Sequence, residues 1–320
     1  MLPVYSVDDF LSATHMDAVD ALRALFILAA CTILSVSLPS SFSSRFVNYG
    51  ARATSTSSEP KVKPTRQPHA FIRFLDYVSS FRVPHSYFTQ FYVASVLSSI
   101  TWATQLVTLG PAFWAVAIRV DERHVQKSMS LNQVMLCWAL LMIQGSRRLY
   151  ESLAFSKPSS SQMWFVHWLL GIVFYIAVGV AIWIEGTGSL ASEKMALLHF
   201  RITNPPSLRT FLCLPLFLFA SGLQHDCHQH LFSLKKYSLP THPLFRRVVC
   251  PHYTAECVIY LSLALLAAPR GEFINKTLLC CAMFVAVNLG VTAATTKRWY
   301  MRKFGEEAVR GRWMMIPGVF

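Results

Sequence analysis

Seven apolar runs divide this chain, and ionisable residues lie between and against the last three of them. The runs cover residues 18–38, 87–109, 131–145, 163–184, 208–223, 257–268 and 278–295. A membrane-spanning helix needs roughly 20 apolar residues. The third, fifth and sixth runs are short, and short or interrupted spans line protein-enclosed cavities more often than they face lipid. After the fifth run comes Gln224-His225-Asp226-Cys227-His228-Gln229-His230. Ahead of the sixth stands Pro251-His252-Tyr253-Thr254-Ala255-Glu256, and after the seventh comes Lys297-Arg298-Trp299-Tyr300-Met301-Arg302-Lys303-Phe304. Ionisable groups near membrane depth are expensive and by default mark a functional site.

The expected fold is therefore all-α: a polytopic bundle of seven transmembrane helices forming one membrane domain over residues 1–320. Only 14% of residues are charged, where an ordinary soluble domain has about 25%. The leading segment Met1–Asp20 carries four Asp and no Lys or Arg. It lacks the positive region of a signal peptide, so the first run is read as a retained span.

A net charge of +13 invites a nucleic-acid reading, but the distribution argues against it. Across the segments that alternate between the seven runs, 20 Lys and Arg fall on one side and 7 on the other. Positive charge stays cytosolic. The N-terminus is then expected to be lumenal and the C-terminus cytosolic, with no nucleic-acid partner. Residues 40–68, rich in Ser, Thr, Arg and Pro, read as a mobile basic cytosolic loop that anionic lipid would attract. The eight cysteines form no C-x-x-C pair and fall mostly in apolar runs. They read as small buried hydrophobes, not as a disulfide framework or zinc ribbon.

His225, His228 and His230 form one dense cluster, with His242 and His252 scattered beyond it. Membrane di-iron oxygenases spread several histidine boxes along the chain. A polar lining of a wet cytosolic mouth, or contacts to a polar cofactor, accounts better for a single cluster, and no metal is expected. No G-x-G-x-x-G follows a predicted strand, and no Walker loop, G-x-S-x-G or H-E-x-x-H occurs. Gly186-Thr187-Gly188 reads as a turn. Any bound nucleotide would depend on polar side chains and on cations such as Arg147, Arg148, Arg246, Arg247, Arg298 and Arg302. After the third run, Glu151 can pair with Arg147 at i, i+4 or with Arg148 at i, i+3.

Several stretches carry a family resemblance. The tail Trp299-Tyr300-Met301-Arg302-Lys303-Phe304 with Ile316-Pro317-Gly318-Val319-Phe320 is similar to the aromatic-Tyr…Lys-x-Phe…Ile-Pro ending of the steroid 5-alpha-reductase family. Pro251-His252-Tyr253-x-x-Glu256 resembles that family's Asn-or-His, aromatic, x-x-Glu motif. Arg147-Arg148-Leu149-Tyr150-Glu151 and Val83-Pro84-x-x-Tyr87-Phe88-x-x-Phe91-Tyr92 resemble its polyprenol (polyprenal) reductase branch.

The resemblance implies a seven-helix endoplasmic-reticulum enzyme that uses NADPH to reduce a carbon–carbon double bond, with residues 208–320 binding the cofactor. By position, Gln224, His228, Lys235, Tyr237, His252, Glu256 and Tyr300 would contact NADPH, with Lys235 standing where the family often has Arg. Steroid reductases grip the substrate carbonyl with a Glu late in the second span and a Tyr after the third. The matching stretches here read Thr89-Gln90-Phe91 and Gln144-Gly145-Ser146, which favours a polyprenoid lipid over a steroid. Gln90 and Tyr92, with Arg148 further off, are then the candidates to polarise a conjugated carbonyl. The product would lead to dolichol, the glycan carrier lipid of N-glycosylation. Arg298 is a candidate cation for Glu256. A membrane methyltransferase of the isoprenylcysteine carboxyl type, suggested by His242-Pro243-Leu244-Phe245, and a non-enzymatic lipid-binding protein are the other readings.

Overall fold

The computed structural model describes residues 7–38, 70–157, 160–193, 207–235 and 238–320. The basic loop expected at 40–68 and the site candidate Tyr237 lie outside the described residues. In chain order the helices are α1 (Val7–Thr14), α2 (Ala18–Ser37), α3 (Ala70–Ser80), α4 (Thr89–Thr108), α5 (Pro111–Ala117), α6 (Glu122–Gln126) and α7 (Leu131–Ala154). They continue with α8 (Phe165–Ala181), α9 (Thr187–Ser192), α10 (Leu208–Ser233), α11 (Pro243–Arg247), α12 (Pro251–Leu266) and α13 (Lys276–Phe304). Two short strands, β1 (Arg82–Pro84) and β2 (Gln162–Trp164), pair antiparallel and tie the approach to α4 to the start of α8.

Each of the seven apolar runs centres on one of the long helices α2, α4, α7, α8, α10, α12 and α13. Among the described residues, three helices are long and apolar enough to cross a membrane. They become four if His85–Thr108 and Pro111–Ala117, bent by 86° at their junction, count as one broken span. The bend follows from Leu109, whose φ of 48° ends α4 in the left-handed region, and from Pro111, which opens α5 at its first turn.

Two helices run past their apolar stretches. The third run was expected to stop at 145, yet α7 continues to Ala154. The fifth was expected to stop at 223, yet α10 continues to Ser233. The Arg147–Glu151 segment and the histidine cluster are therefore helical, not loops following a span. The reason is periodic. Gln144, Arg147, Arg148 and Glu151 stand at i, i+3, i+4 and i+7, as do Ser221, Gln224, His225 and His228. That is the spacing of a single helix face, here a polar one turned inward. Gly186-Thr187-Gly188 likewise is no free turn. It passes from a 3-10 turn into α9, and a Cβ at Gly188 would meet the Val125 carbonyl oxygen at 2.2 Å.

The bundle is apolar outside, and its largely apolar core encloses a set of polar groups. Leu97, Ile100, Val107, Ile143, Ile176, Phe211 and Phe219 are exposed, whereas Gln144, Glu151, Ser221 and Gln224 are buried. Such an arrangement suits a hydrocarbon surround, where inward polar groups must find each other.

The end where α7, α10 and α13 begin is stitched across. Glu185 accepts from Arg23 Nη2 at 3.0 Å, from the Thr277 amide at 3.0 Å and from the Thr277 hydroxyl at 2.5 Å. The capping box of Ser130 and Gln133 opens α7, and Gln133 Nε2 also donates to the carbonyls of Leu266 and Ala268 at 3.0 and 2.9 Å. Asn275 caps α13 through Leu278 N at 2.8 Å and is fully buried. Hydrogen bonds from Lys127 and then Lys276 hold the Glu272 carboxyl below the usual carboxylate range.

The opposite end carries a second small core of Val249, Cys250, Ala293, Trp299, Tyr300, Val309 and Met315. Trp313 N donates to Arg247 O, Val249 N to Trp313 O, and Cys250 N to Met314 O, at 2.8, 2.8 and 3.1 Å. Residues 313–315 thereby brace the entry to α12.

Candidate active site

The two polar stripes of α7 and α10 meet inside the bundle. Arg147 and Arg148 both donate to the Glu151 carboxylate. From α10, His225 Nδ1 lies 2.6 Å from Glu151 Oε1 and His228 Nδ1 lies 2.8 Å from Oε2. The expected i, i+4 and i, i+3 pairs thus form together, and Glu151 is buried among two guanidiniums and two imidazoles. Burying a carboxylate is tolerable only with partners of this kind. Arg148 Nη1 also lies 2.7 Å from His228 Nδ1.

Arg148 reaches further, donating to the Tyr92 hydroxyl on α4. Tyr92 is packed by aromatic rings, with centroids 5.6 Å from Phe88 and 5.7 Å from Tyr175. From α12, Glu256 accepts from Gln224 Nε2. That amide, not Arg298, is its partner. Arg298 lies on the exposed face of α13 and donates to Thr295 Oγ1 at 3.4 Å. Glu256 stands in the second turn of α12, because Pro251 fills the first helical position.

These groups border a cavity of about 150 Å³. Tyr92, Arg148, Gln224, His228 and Glu256 form its polar wall, and Phe88, Phe91, Leu170, Phe174, Phe284 and Leu289 form much of its apolar wall. Gly171 lies where the Phe91 ring leans in, and a Cβ there would meet the ring at 2.6 Å. Polar groups convergent on one wall of an otherwise apolar cleft are the usual build of a small-molecule site.

The structure brings five of the sequence candidates to this cavity: Tyr92, Arg148, Gln224, His228 and Glu256. His252 stands just behind, its ring 5.4 Å from that of His228. Its Nδ1 is buried with no hydrogen-bond partner among the described residues. Tyr300 lies further along α13, packed on Trp299 and Phe304 in the second core. Lys235 is exposed beyond the end of α10. Gln90 points away from the cavity and accepts from Trp168 Nε1 at 2.9 Å. Sequence reading passed over Gln144 and Ser221, and weighed Arg147 only as a cation for a bound nucleotide. The i, i+3, i+4, i+7 spacing on both helices was the signal that would have found them.

Among the described residues, one histidine and two carboxylates lie close enough to share a cation: Asp17, Asp20 and His124, at the stitched end. Their oxygens are already engaged. Asp20 accepts from Arg23 and Arg123, and Asp17 accepts from the Asp20 and Asp121 amides.

The C-terminal half of this bundle, residues 173–320, matches the family model described as 3-oxo-5-alpha-steroid 4-dehydrogenase. Residues 173–320 thus carry a domain of the steroid 5-alpha-reductase type, as the tail and the Pro-His-Tyr-x-x-Glu motif suggested. Its relatives are more particular. It is 28% identical over 291 residues to the polyprenal reductase of Saccharomyces cerevisiae, covering 90% of each chain. It is 28% identical over 290 residues to polyprenal reductase 1 of Oryza sativa subsp. indica, covering 75% of this chain and 80% of that one. It is 27% identical over 246 residues to the human polyprenal reductase, covering 70% and 74%.

Proposed function

We propose that this chain is a membrane oxidoreductase that reduces the α-isoprene double bond of polyprenal, on the route to dolichol and protein N-glycosylation. The observation that carries the reading is the Tyr92 hydroxyl, held by Arg148 on the polar wall of an aromatic-lined cavity inside the bundle. The polyprenal reductases to which the chain is similar supply the substrate.

The donor set suits a nicotinamide cofactor. Glu256 and the unpartnered Nδ1 of His252 offer hydrogen bonds to amide or hydroxyl groups. Exposed Lys235, Arg246, Arg247 and Arg298 stand at the same end of the bundle and would suit phosphates. NADPH, when bound, supplies the hydride that adds to the β carbon of the conjugated aldehyde. A proton then reaches the α carbon, so the C=C becomes C–C and the aldehyde is retained. As hydride arrives, negative charge develops on the carbonyl oxygen, and Tyr92 with Arg148 behind it would stabilise it. The aromatic wall keeps water from the reacting atoms, and the apolar tail of the substrate would continue into lipid.

In this reading all seven long helices span the endoplasmic-reticulum membrane, with the N-terminus lumenal and the C-terminus cytosolic. Residues 208–320, including Tyr237 and Tyr300, hold the cofactor, which enters from the cytosol. The test is reconstitution of the purified chain with polyprenal and NADPH. Appearance of the saturated aldehyde with matching NADPH consumption supports the reading. Binding of S-adenosylmethionine without NADPH consumption would replace it with the methyltransferase reading.

A further inference from the structure

The buried amides behind the cavity can face only one way. A guanidinium donates and never accepts, so whatever atom Arg147 touches on a glutamine is its oxygen. Arg147 Nη2 lies 2.9 Å from Gln144 Oε1, which also accepts from the Ser221 hydroxyl at 3.0 Å. Gln144 must then turn its amide nitrogen outward, and that nitrogen donates to Gln224 Oε1 at 2.8 Å. Arg147 Nη2 donates to the same Gln224 oxygen. Both constraints leave Gln224 Nε2 pointing at Glu256, whose Oε2 accepts it. Arg147 is itself fixed, because Nε donates to Ser221 Oγ at 3.1 Å and Nη1 to Glu151. Gln144, Ser221 and Gln224 are all buried. Neither Gln144, Arg147 nor Ser221 borders the cavity, while Gln224 and Glu256 do.

We propose that Gln144 is a positioning residue for cofactor binding. Together with Arg147 and Ser221 it sets the direction of the Gln224 amide and so holds Glu256 on the cavity wall, one oxygen engaged and the other presented to an N–H or O–H donor of the cofactor. This rests on the NADPH reading above. Reversing any amide in the chain would set oxygen against oxygen at one contact and nitrogen against guanidinium at the next. In a buried network each such mismatch leaves a polar group unpaired. The direction therefore passes from α7 through α10 to α12 along this line of hydrogen bonds.

The test is NADPH affinity of the purified full chain in detergent, read by energy transfer from protein tryptophan to NADPH. Wild type, Gln144→Leu, Gln144→Glu, Glu256→Gln and the double variant Gln144→Leu/Glu256→Gln would be compared. Gln144→Glu keeps the acceptor for Arg147 and Ser221 but replaces the donor to Gln224 with a second acceptor oxygen and adds a negative charge beside Arg147, so it tests direction in a protein that keeps the Arg147 contact. Both single changes at 144 should weaken NADPH binding about tenfold, the scale of one hydrogen bond to a charged group. Because Gln144 acts through Glu256, the double variant should bind no more weakly than Glu256→Gln alone, a coupling that a general packing defect would not give. Wild-type affinity in Gln144→Glu would overturn the proposal, and so would a full tenfold penalty repeated on Glu256→Gln. Absence of NADPH binding by wild type would instead overturn the cofactor reading, and the relay with it.

Discussion

Arg148 donates to the Tyr92 hydroxyl while its guanidinium carbon lies 4.7 Å from the centroid of the same ring. One cation thus both polarises the hydroxyl and covers the face of the phenol. Its other contacts, to Glu151 and His228, keep it from swinging away.

Tyr92→Phe keeps the ring and removes the hydroxyl. Loss of one group that stabilises a developing oxyanion costs roughly a hundredfold in kcat. NADPH affinity should stay within about twofold, since the ring packing is retained. Arg148→Lys should resemble Tyr92→Phe in kcat, because an ammonium lacks the planar fork that serves Tyr92 and Glu151 together. Steady-state turnover of polyprenal beside equilibrium NADPH binding makes the comparison, and unchanged kcat in Tyr92→Phe would remove Tyr92 from the mechanism.

Glu256 should be the least replaceable residue of the cavity wall. Glu256→Gln keeps size and one acceptor but sets a neutral amide against the Gln224 amide, and Glu256→Leu removes the acceptor altogether. Both should abolish polyprenal reduction while the protein still inserts and purifies. Activity assays on equal amounts of folded protein check this. Wild-type rates in Glu256→Leu would show the position to be structural.

Glu185 should matter for stability and not for the site. Its buried carboxylate joins Arg23 on α2 to the start of α13, at the end remote from the cavity. Glu185→Ala leaves Arg23 without its buried partner and uncaps Thr277, a loss of about 3 kcal/mol. Glu185→Gln should cost less, since it still accepts from the Thr277 amide. Thermal unfolding in detergent should show the drop, with NADPH affinity of the folded fraction unchanged.

Orientation is open to direct test. A C-terminal tag in sealed microsomes should be digested by added protease if that end is cytosolic. Asn275-Lys276-Thr277 should remain unglycosylated, because the Asn275 side chain is fully buried and caps α13. A protected tag would reverse the topology.

The positions of the seven long helices were legible in hydropathy, since each apolar run centres on one helix. The ends of α7 and α10 were not, because hydropathy falls where these helices turn polar faces toward each other. Arg147, Arg148 and Glu151 read as helically spaced ion pairs following the third run, and their place in a buried face was hidden while each helix was considered alone. With both considered, the repeated i, i+3, i+4, i+7 spacing marks matching inward faces. Tyr92, Arg148, Gln224, His228 and Glu256 came from motif resemblance, and the cavity gathers them. Gln90 did not follow. It stands two positions from Tyr92, about 200° around the helix at 3.6 residues per turn, so the two cannot share a face. The partner of Glu256 was also illegible, since it depends on how α10 and α12 pack and not on the spacing within either.

The brace from residues 313–315 to the entry of α12 bears on how the enzyme comes into being. His252 and Glu256 are synthesised about sixty positions before Trp313 and Met315, and Thr254 between them donates to the Met315 carbonyl. Domains gain structure from the N-terminal side during synthesis, yet this part of the cavity wall waits on a segment that emerges after α13. A nascent chain could therefore be threaded into the bilayer and still be catalytically blank. A premature stop after α13 would leave an inserted, immature protein whose last assembly step never arrives.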